Sequence, residues 1–218
     1  MADKMSRRPL TSRGSGWAKG ITKALAATSI SPNQVSQASM LAAALAGVAF
    51  WFSGDTGDAV LRGALLVGAA VFCQLRLLCN LFDGLLAIEA GKSAPDGAFW
   101  NEFPDRVADI LILVGAGYAV GEVSLGWTAA AFAVFTAYVR ELGGANGMPA
   151  DFSGPMAKPH RMAAITLAAV IAALEPLWHG QGEVLTIALW VITIGSGVTT
   201  FRRALRLRAW LCKGKEEQ

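Results

Sequence analysis

The sequence predicts an all-α membrane protein, in which an amphipathic interfacial helix precedes six transmembrane helices. Two observations lead to this prediction. The first is composition, because 54% of the 218 residues are hydrophobic and 16% are charged, against about 45–50% and about 25% in soluble domains. The second is a series of apolar stretches that recur along the whole chain. Both features are expected where side chains face lipid, since polar groups there find no water.

The amphipathic helix is expected directly before the first span. Trp17, Ile21 and Leu25 alternate with Lys19 and Lys23 at helical spacing. This pattern is typical of a helix that lies on an anionic membrane surface. An ordinary positively charged flank is the alternative that the pattern leaves open.

Each of the six apolar segments that follow is interpreted as a membrane span. The break at Ser31-Pro32-Asn33 starts the first span, with Ser31 or Asn33 able to cap it. In order, the segments are 35–54, 61–79, 110–121, 125–139, 162–174 and 184–201. The first alone supplies the roughly 20 residues that a bilayer requires. The second, third and fourth reach that length only by including charged residues, which indicates a polar interior because a charge facing lipid is costly.

Lys and Arg are distributed unevenly between the two sides of these spans. The N-terminus, the segments around 85–100 and 140–161, and the C-terminus hold nearly all of them, whereas the opposite loops contribute only Arg62. The positive-inside rule therefore places both termini and the adjoining polar site in the cytoplasm. We expect a multi-pass protein of the cytoplasmic (inner) membrane, with a surface segment at 1–30, a six-helix catalytic domain at 31–211 and a cytoplasmic tail at 212–218.

Polar residues share one face on each of two neighbouring spans. The second span carries Arg76, Asn80, Asp83 and Ala87 at helical spacing. The third carries Gly97, Asn101, Asp105 and Asp109 in the same way. Antiparallel packing across a short loop would bring these faces together as a cluster of oxygen ligands, which favours hard cations such as Mg²⁺ or Mn²⁺. The alternative is a polar contact between helices, in which Arg76, Arg106 or Arg140 neutralises the aspartates.

This stretch resembles the signature of the CDP-alcohol phosphotransferases, Asp-x2-Asp-Gly-x2-Ala-Arg-x8-Gly-x3-Asp-x3-Asp. Here it reads Asn80-x2-Asp83-Gly84-x2-Ala87-Ile88-x8-Gly97-x3-Asn101-x3-Asp105. Every spacing, both glycines, the alanine and two of the four acids are kept. Two acids are replaced by Asn80 and Asn101, and the arginine is replaced by Ile88. The resemblance extends over residues 30–205.

The resemblance implies a transferase of phospholipid biosynthesis. Such an enzyme moves a phosphatidyl or related phosphoalcohol group from a CDP-linked lipid donor to an alcohol acceptor and releases CMP. By resemblance Asp105 is the general base, and one or two Mg²⁺ or Mn²⁺ ions are held by Asp83, Asp105, Asn80 and Asn101. The nucleotide is expected to contact Asp83, Gly84, Ala87 and Gly97. Because two acids are amides, we expect one ion or a weakly bound second, with Glu102 or Asp109 as a replacement ligand.

The acceptor alcohol is expected beside Arg140, Lys158 and Arg161, on the same side of the membrane as the signature. Phosphate oxygens accept charged hydrogen bonds well, so the resemblance implies a phosphorylated acceptor of the glycerol 3-phosphate or inositol phosphate type. The alternative is that these cations face lipid headgroups.

Two other functions stay open at this point. One is a relative that binds CDP-lipid without turnover, because two acids have become amides. The other is a small ion-coupled transporter, which explains the charges but not the glycine-to-acid spacings. Expected partners are membrane lipids and a second copy of the chain in a homodimer, but no nucleic acid. Small residues such as Gly115 and Gly117 permit close helix packing, within one protomer or between two.

Overall fold

The structure, a computed structural model, describes residues 16–89, 91 and 95–216, and these form helices and no strands. The helices are α1 (Gly16–Ala26), α2 (Pro32–Asp55), α3 (Ala59–Glu89), α4 (Gly97–Ala119), α5 (Val123–Ala145), α6 (Lys158–Ala172) and α7 (Glu183–Glu216), with a 3-10 turn at Glu175–Trp178. The predicted all-α class is confirmed for this part of the chain. Helices α2 to α7 correspond in order to the six apolar segments, and α7 continues beyond residue 211.

Among the described residues, four helices are long and apolar enough to cross a membrane, judged by length and composition. They are Pro32–Asp55, Ala59–Ile88, Val123–Ala145 and Glu183–Cys212. Helix α4 carries four charged residues within its first 13 residues, and α6 has only 15 residues. A helix of that length rises about 22 Å, less than the roughly 30 Å of a bilayer core. The structure thus has the apolar helices of a multi-pass membrane protein, and the count of six spans stays a prediction.

Large apolar side chains cover the outside of the helices, while small ones fill the inside. Leu41, Ile187 and Ile194 are exposed by 60% or more. Alanines such as Ala43 and Ala129 are fully buried. This distribution suits helices that face lipid outward and approach each other closely inward.

Glycines set the closest helix contacts. A Cβ on Gly115 of α4 would lie 2.3 Å from the carbonyl oxygen of Gly47 in α2, and one on Gly117 would lie 2.9 Å from Cα of Gly126 in α5. Both contacts are within one protomer, which is one of the two packing modes expected for these residues. Helix α2 also packs extensively on α3, so that α3 and α4 meet mainly through α2 and through their polar side chains.

The expected helix before the first span is present as α1. Its Ala18 and Thr22 are buried, and Trp17 makes an edge-to-face contact with Phe82 of α3, with 6.1 Å between ring centroids. Trp17 and Ile21 are nevertheless 51% and 42% exposed. These exposed apolar residues are compatible with a membrane-surface position, which stays a prediction.

The first span begins as one of the two expected caps requires. Ser31 caps α2, accepting a hydrogen bond at Oγ from the backbone N–H of Gln34 while the Gln34 side chain accepts one from the Ser31 backbone. Asn33 is used differently, since its Nδ2 donates to Oδ1 of Asp96 at 3.0 Å. Hydrogen bonds from Asn33 and Trp100 hold the pKa of Asp96 below its usual value. The start of α2 is therefore tied to the residue that precedes α4.

Candidate active site

The polar faces of α3 and α4 meet at one end of the helices, as their spacing predicts. Nη2 of Arg76 donates to Oδ1 of Asp105 at 3.1 Å, and the Asn80 amide donates to the same oxygen. Asp83 lies one turn beyond Asn80 on α3 and is also buried. Three of the polar signature residues, Asn80, Asp83 and Asp105, thus lie in one buried cluster.

Two serines of α2, which the sequence analysis missed, orient the residues of α3. Ser36 Oγ donates to Oδ2 of Asp83 at 2.7 Å, and Ser39 Oγ donates to Oδ1 of Asn80 at 2.8 Å. Both serines are buried. The available signal was their spacing of three residues within an otherwise apolar span, because polar side chains there usually bond across helices. The start of the first span is therefore part of the site.

The carboxylate of Asp105 is surrounded by cations. In addition to Arg76, Lys158 at the start of α6 donates from Nζ to Oδ2, and Nη1 of Arg106 lies 3.8 Å from the same oxygen. The carboxylate of Asp83 differs, because no Lys, Arg or His among the described residues lies within ion-pairing distance of it. Among the described residues, the direct ion pairs of the cluster are therefore made by Asp105 and not by Asp83.

The fourth polar signature residue, Asn101, lies outside this buried cluster. Its side chain is exposed, and its Nδ2 donates to Oε1 of the neighbouring Glu102 at 3.3 Å. Glu102 itself accepts hydrogen bonds from Arg106 and Arg140. Asp109, the other suggested replacement ligand, is paired with Arg161. Both acids that were expected to compensate for the amides are thus held by arginines.

The predicted nucleotide-contacting residues lie along the same end of the structure. Gly84 and Ala87 are half-buried on α3, and Gly97 begins α4. A Cβ on Gly97 would meet no protein atom within 4 Å, so packing does not require glycine there. Open space beside a half-buried glycine is what a ligand approaching the backbone needs.

The three cations expected for the acceptor do not form one open patch. Lys158 is bound to Asp105, and Arg140 is bound to Glu102 and Glu141 with its guanidinium 5.3 Å from the centre of the Phe152 ring. Arg161 is buried, and its Nη2 donates to Oδ2 of Asp109 at 2.7 Å. Each cation has an acidic partner, and Arg161 lies deepest in the protein.

Several buried polar atoms in and below the cluster lack a hydrogen-bond partner within the described residues. They are Nε and Nη1 of Arg76, Oδ1 of Asp109 and Nε of Arg161. Buried polar groups are nearly always paired in folded proteins, and an exception calls for a physical reason. The site therefore has hydrogen-bonding capacity that the protein itself does not use.

The donor atoms of the cluster suit one hard cation better than two. Within residues 16–89, 91 and 95–216, no three His, Cys, Asp or Glu side chains are grouped as a metal site. Asp83 is a buried carboxylate that forms no ion pair with any described Lys, Arg or His, and its neighbour Asn80 adds an amide oxygen. Oxygen ligands of this kind are the ones that Mg²⁺ and Mn²⁺ prefer.

Comparison with known proteins gives one clear relative in sequence and several in fold. No family model matches the chain. A phosphatidylinositol phosphate synthase from Streptomyces avermitilis is 31% identical over 157 residues, which cover 67% of this chain and 63% of that protein. The alignment therefore spans less than two thirds of the relative's length.

Crystal structures of phosphatidylinositol phosphate synthase from Mycobacterium tuberculosis have the same fold. The form with CDP-DAG bound superposes with a TM-score of 0.73 at 17% identity, covering 87% of this chain and 92% of that one. The form in complex with manganese and citrate gives a TM-score of 0.73 at 17% identity, covering 87% and 88%. At this level of identity the superposition shows a shared fold.

Proposed function

Since the chain is a relative of the CDP-alcohol phosphotransferases, as its signature predicts, we propose that it moves a phosphatidyl or related phosphoalcohol group from a CDP-linked lipid to an alcohol. The observation that carries the proposal is the buried cluster of Asp83, Asn80 and Asp105, at the spacing of the signature. A related fold with CDP-DAG bound supports the choice of donor.

The donor is bound by the cytoplasmic ends of α3 and α4. Asp83, together with the amide oxygen of Asn80, would hold a divalent cation, Mg²⁺ or Mn²⁺, and the open space beside Gly97 admits the nucleotide. A cation held there would supply positive charge that neutralises the diphosphate and favours departure of CMP. The acyl chains of the donor stay in the bilayer beside the apolar outer surface.

The reaction is a substitution at the phosphorus atom that carries the lipid. The acceptor oxygen forms a bond to this phosphorus, and the bond to the oxygen shared with the nucleotide phosphate breaks, so that CMP leaves with the electron pair. The proton of the acceptor hydroxyl passes to Asp105. Lys158 occupies Oδ2 of Asp105 in the structure, so the ammonium releases this oxygen when the acceptor binds.

The acceptor is a phosphorylated alcohol, of the inositol phosphate or glycerol 3-phosphate type. Lys158 and Arg140 stand at the mouth of the site with side chains 27% and 17% exposed, and they contact its phosphate. Arg161 is nearly fully buried and holds the start of α6 from beneath through Asp109. The relative in Streptomyces avermitilis is a phosphatidylinositol phosphate synthase, which favours the inositol phosphate type.

The same proposal includes the placement in the membrane. All six helices α2 to α7 cross the bilayer, α1 lies on the cytoplasmic surface, and both termini are cytoplasmic. Helix α4 is too polar, and α6 too short, to be identified as a membrane span by composition and length alone. These two helices carry Asp105 and Lys158, so their polar residues face the interior of the protein. The chain functions as a homodimer.

Purified protein incubated with CDP-diacylglycerol, Mg²⁺ or Mn²⁺ and a set of alcohols tests the activity. We expect CMP and a new phospholipid with a phosphorylated alcohol, and little product with the matching unphosphorylated alcohol. Absence of CMP with every alcohol would refute the proposal.

A second candidate function is binding without turnover, favoured by the cations that enclose Asp105 and by the exposed position of Asn101. Saturable binding of CDP-diacylglycerol, in a preparation that releases no CMP, would identify it. Binding is measured in the same detergent micelles as the activity, so that the two results are comparable.

A further inference from the structure

We propose that Arg76 and Lys158 take the place of a second metal ion, so that the site binds a single divalent cation at Asp83. This inference rests on the proposed function and specifies how that site treats the negative charge of the donor. It also predicts that part of the diphosphate binding needs no metal at all.

The positive charges of the cluster lie around Asp105. Asp105 accepts hydrogen bonds from Arg76 and Lys158, one on each carboxylate oxygen, and Arg106 lies beside it. Asp83 is equally buried, its Oδ2 accepts a hydrogen bond from the neutral hydroxyl of Ser36, and no ion pair among the described residues includes it. A divalent cation is therefore attracted to Asp83 and is repelled by the cations around Asp105.

The positive and negative charges of the cluster balance without a metal ion. Four acids at the signature positions would carry four negative charges, enough for two divalent ions. Here Asp83 and Asp105 carry two, the positive charges of Arg76 and Lys158 offset both, and the charge of Arg106 is offset by Glu102. Without any metal the cluster is thus as neutral as a four-acid site with two ions. One divalent cation then leaves an excess of two positive charges, which matches an incoming diphosphate.

The guanidinium of Arg76 has hydrogen-bond donors that the described residues leave unused. The side chain is fully buried, and only Nη2 is hydrogen-bonded, whereas Nε and Nη1 have no partner among the described residues. A purely structural arginine would be expected to use its planar fork in a bidentate pair with the carboxylate. Because the guanidinium is rigid, the idle donors lie next to the Asp105 carboxylate. Phosphate oxygens are the acceptors that such a fork fits best.

Two measurements on the wild-type protein and one matched pair of variants test the inference. Titration with Mn²⁺, followed by electron paramagnetic resonance of the free ion, should give one tightly bound ion per chain. Binding of CDP in EDTA should still be detectable. Arg76→Gln should weaken that metal-free binding by about tenfold or more, the usual effect of losing a hydrogen bond to a charged group. Arg76→Lys, which keeps the charge but loses the fork, should give an affinity between those of the wild type and Arg76→Gln.

Two tightly bound Mn²⁺ ions in the wild type would overturn the inference, and this result needs no variant. Equal CDP affinity of wild type and Arg76→Gln in EDTA would also overturn it. The Arg76→Gln protein is accepted for comparison when it elutes as wild type and still binds one Mn²⁺ ion.

These outcomes are separable from those of the proposed function. CMP release with two bound ions would keep the transferase and reject the single-ion site. One bound ion and Arg76-dependent CDP binding, without CMP release, would keep the single-ion site and reject the transferase.

Discussion

The ion pair between Asp109 and Arg161 gives a prediction whose size follows from the structure. Both side chains are almost completely buried, and Nη2 of Arg161 lies 2.7 Å from Oδ2 of Asp109. Replacing Asp109 with leucine removes one charge, keeps the branched shape of the side chain and leaves the other charge buried without its partner. Breaking a buried pair in this way costs about 3–5 kcal/mol.

The cost converts to a large change in thermal stability. For chains of 150–250 residues, 1 kcal/mol corresponds to about 2–4 °C in Tm, so Asp109→Leu should lower Tm by about 6–20 °C. The seven tryptophans of the chain allow unfolding to be followed by intrinsic fluorescence in detergent micelles. The double variant Asp109→Leu/Arg161→Met removes both charges and should recover at least half of the loss, because an apolar pair of similar volume is often neutral in stability.

The same experiment separates an ion pair from a metal ligand. If Asp109 serves only Arg161, the rise in Tm caused by Mn²⁺ should be the same in Asp109→Leu as in the wild type. A shift below about 3 °C in the single variant, or a double variant as unstable as the single, would refute the reasoning.

Two further variants test packing and the site. Gly115→Ala places a Cβ 2.3 Å from a backbone oxygen of α2, whereas a Cβ at Gly68 meets nothing within 4 Å. Gly115→Ala should therefore lower the stability by about 1–3 kcal/mol. Equal Tm values for Gly115→Ala and Gly68→Ala would contradict this. Ser36→Ala removes the hydroxyl that bonds Asp83 and should weaken Mn²⁺ binding about tenfold in the same titration. Ser53→Ala is its control, since the Ser53 hydroxyl bonds only a backbone carbonyl in its own helix, and equal Mn²⁺ affinity of both variants would contradict the role of Ser36.

The helices and the meeting of the two polar faces were predictable from the sequence. Apolar stretches locate α2 to α7 because lipid-facing and buried positions both exclude charge. The spacing of Arg76, Asn80 and Asp83 puts them on one face of a helix whatever the packing around it. The contact of this face with Asp105 followed from two helices joined by a short loop.

The pairing of individual side chains was not predictable in the same way. A lysine or arginine near the end of a helix looks the same in the sequence whether its side chain is available to a ligand or pairs with an acid. The sequence places Arg161 at the start of an apolar segment, where an open site was expected. In the structure Arg161 is buried and pairs with Asp109. Lys158 begins the same helix, and its side chain pairs with Asp105. Ser36 was overlooked because a hydroxyl barely interrupts an apolar span.

The position of Asn101 also depended on three-dimensional structure. The signature spacing puts Asn101 and Asp105 on one face of α4, yet one helical turn separates a buried carboxylate from an exposed amide. The site at this end is shallow, so the turn nearer the surface already leaves the protein interior. Sequence periodicity specifies the face of a helix and not the depth at which it enters the core.

The most direct test of the account is CMP release from CDP-diacylglycerol by wild type, Asp105→Asn and Asp58→Asn. Asp58 is an exposed acid at the opposite end of the helices, where its carboxylate bonds the first backbone N–H groups of α3, a role that asparagine can keep. Loss of the general base should slow CMP release by at least about a hundredfold, while Asp58→Asn keeps the wild-type rate. A wild type that releases CMP at a rate unchanged by Asp105→Asn would contradict the account.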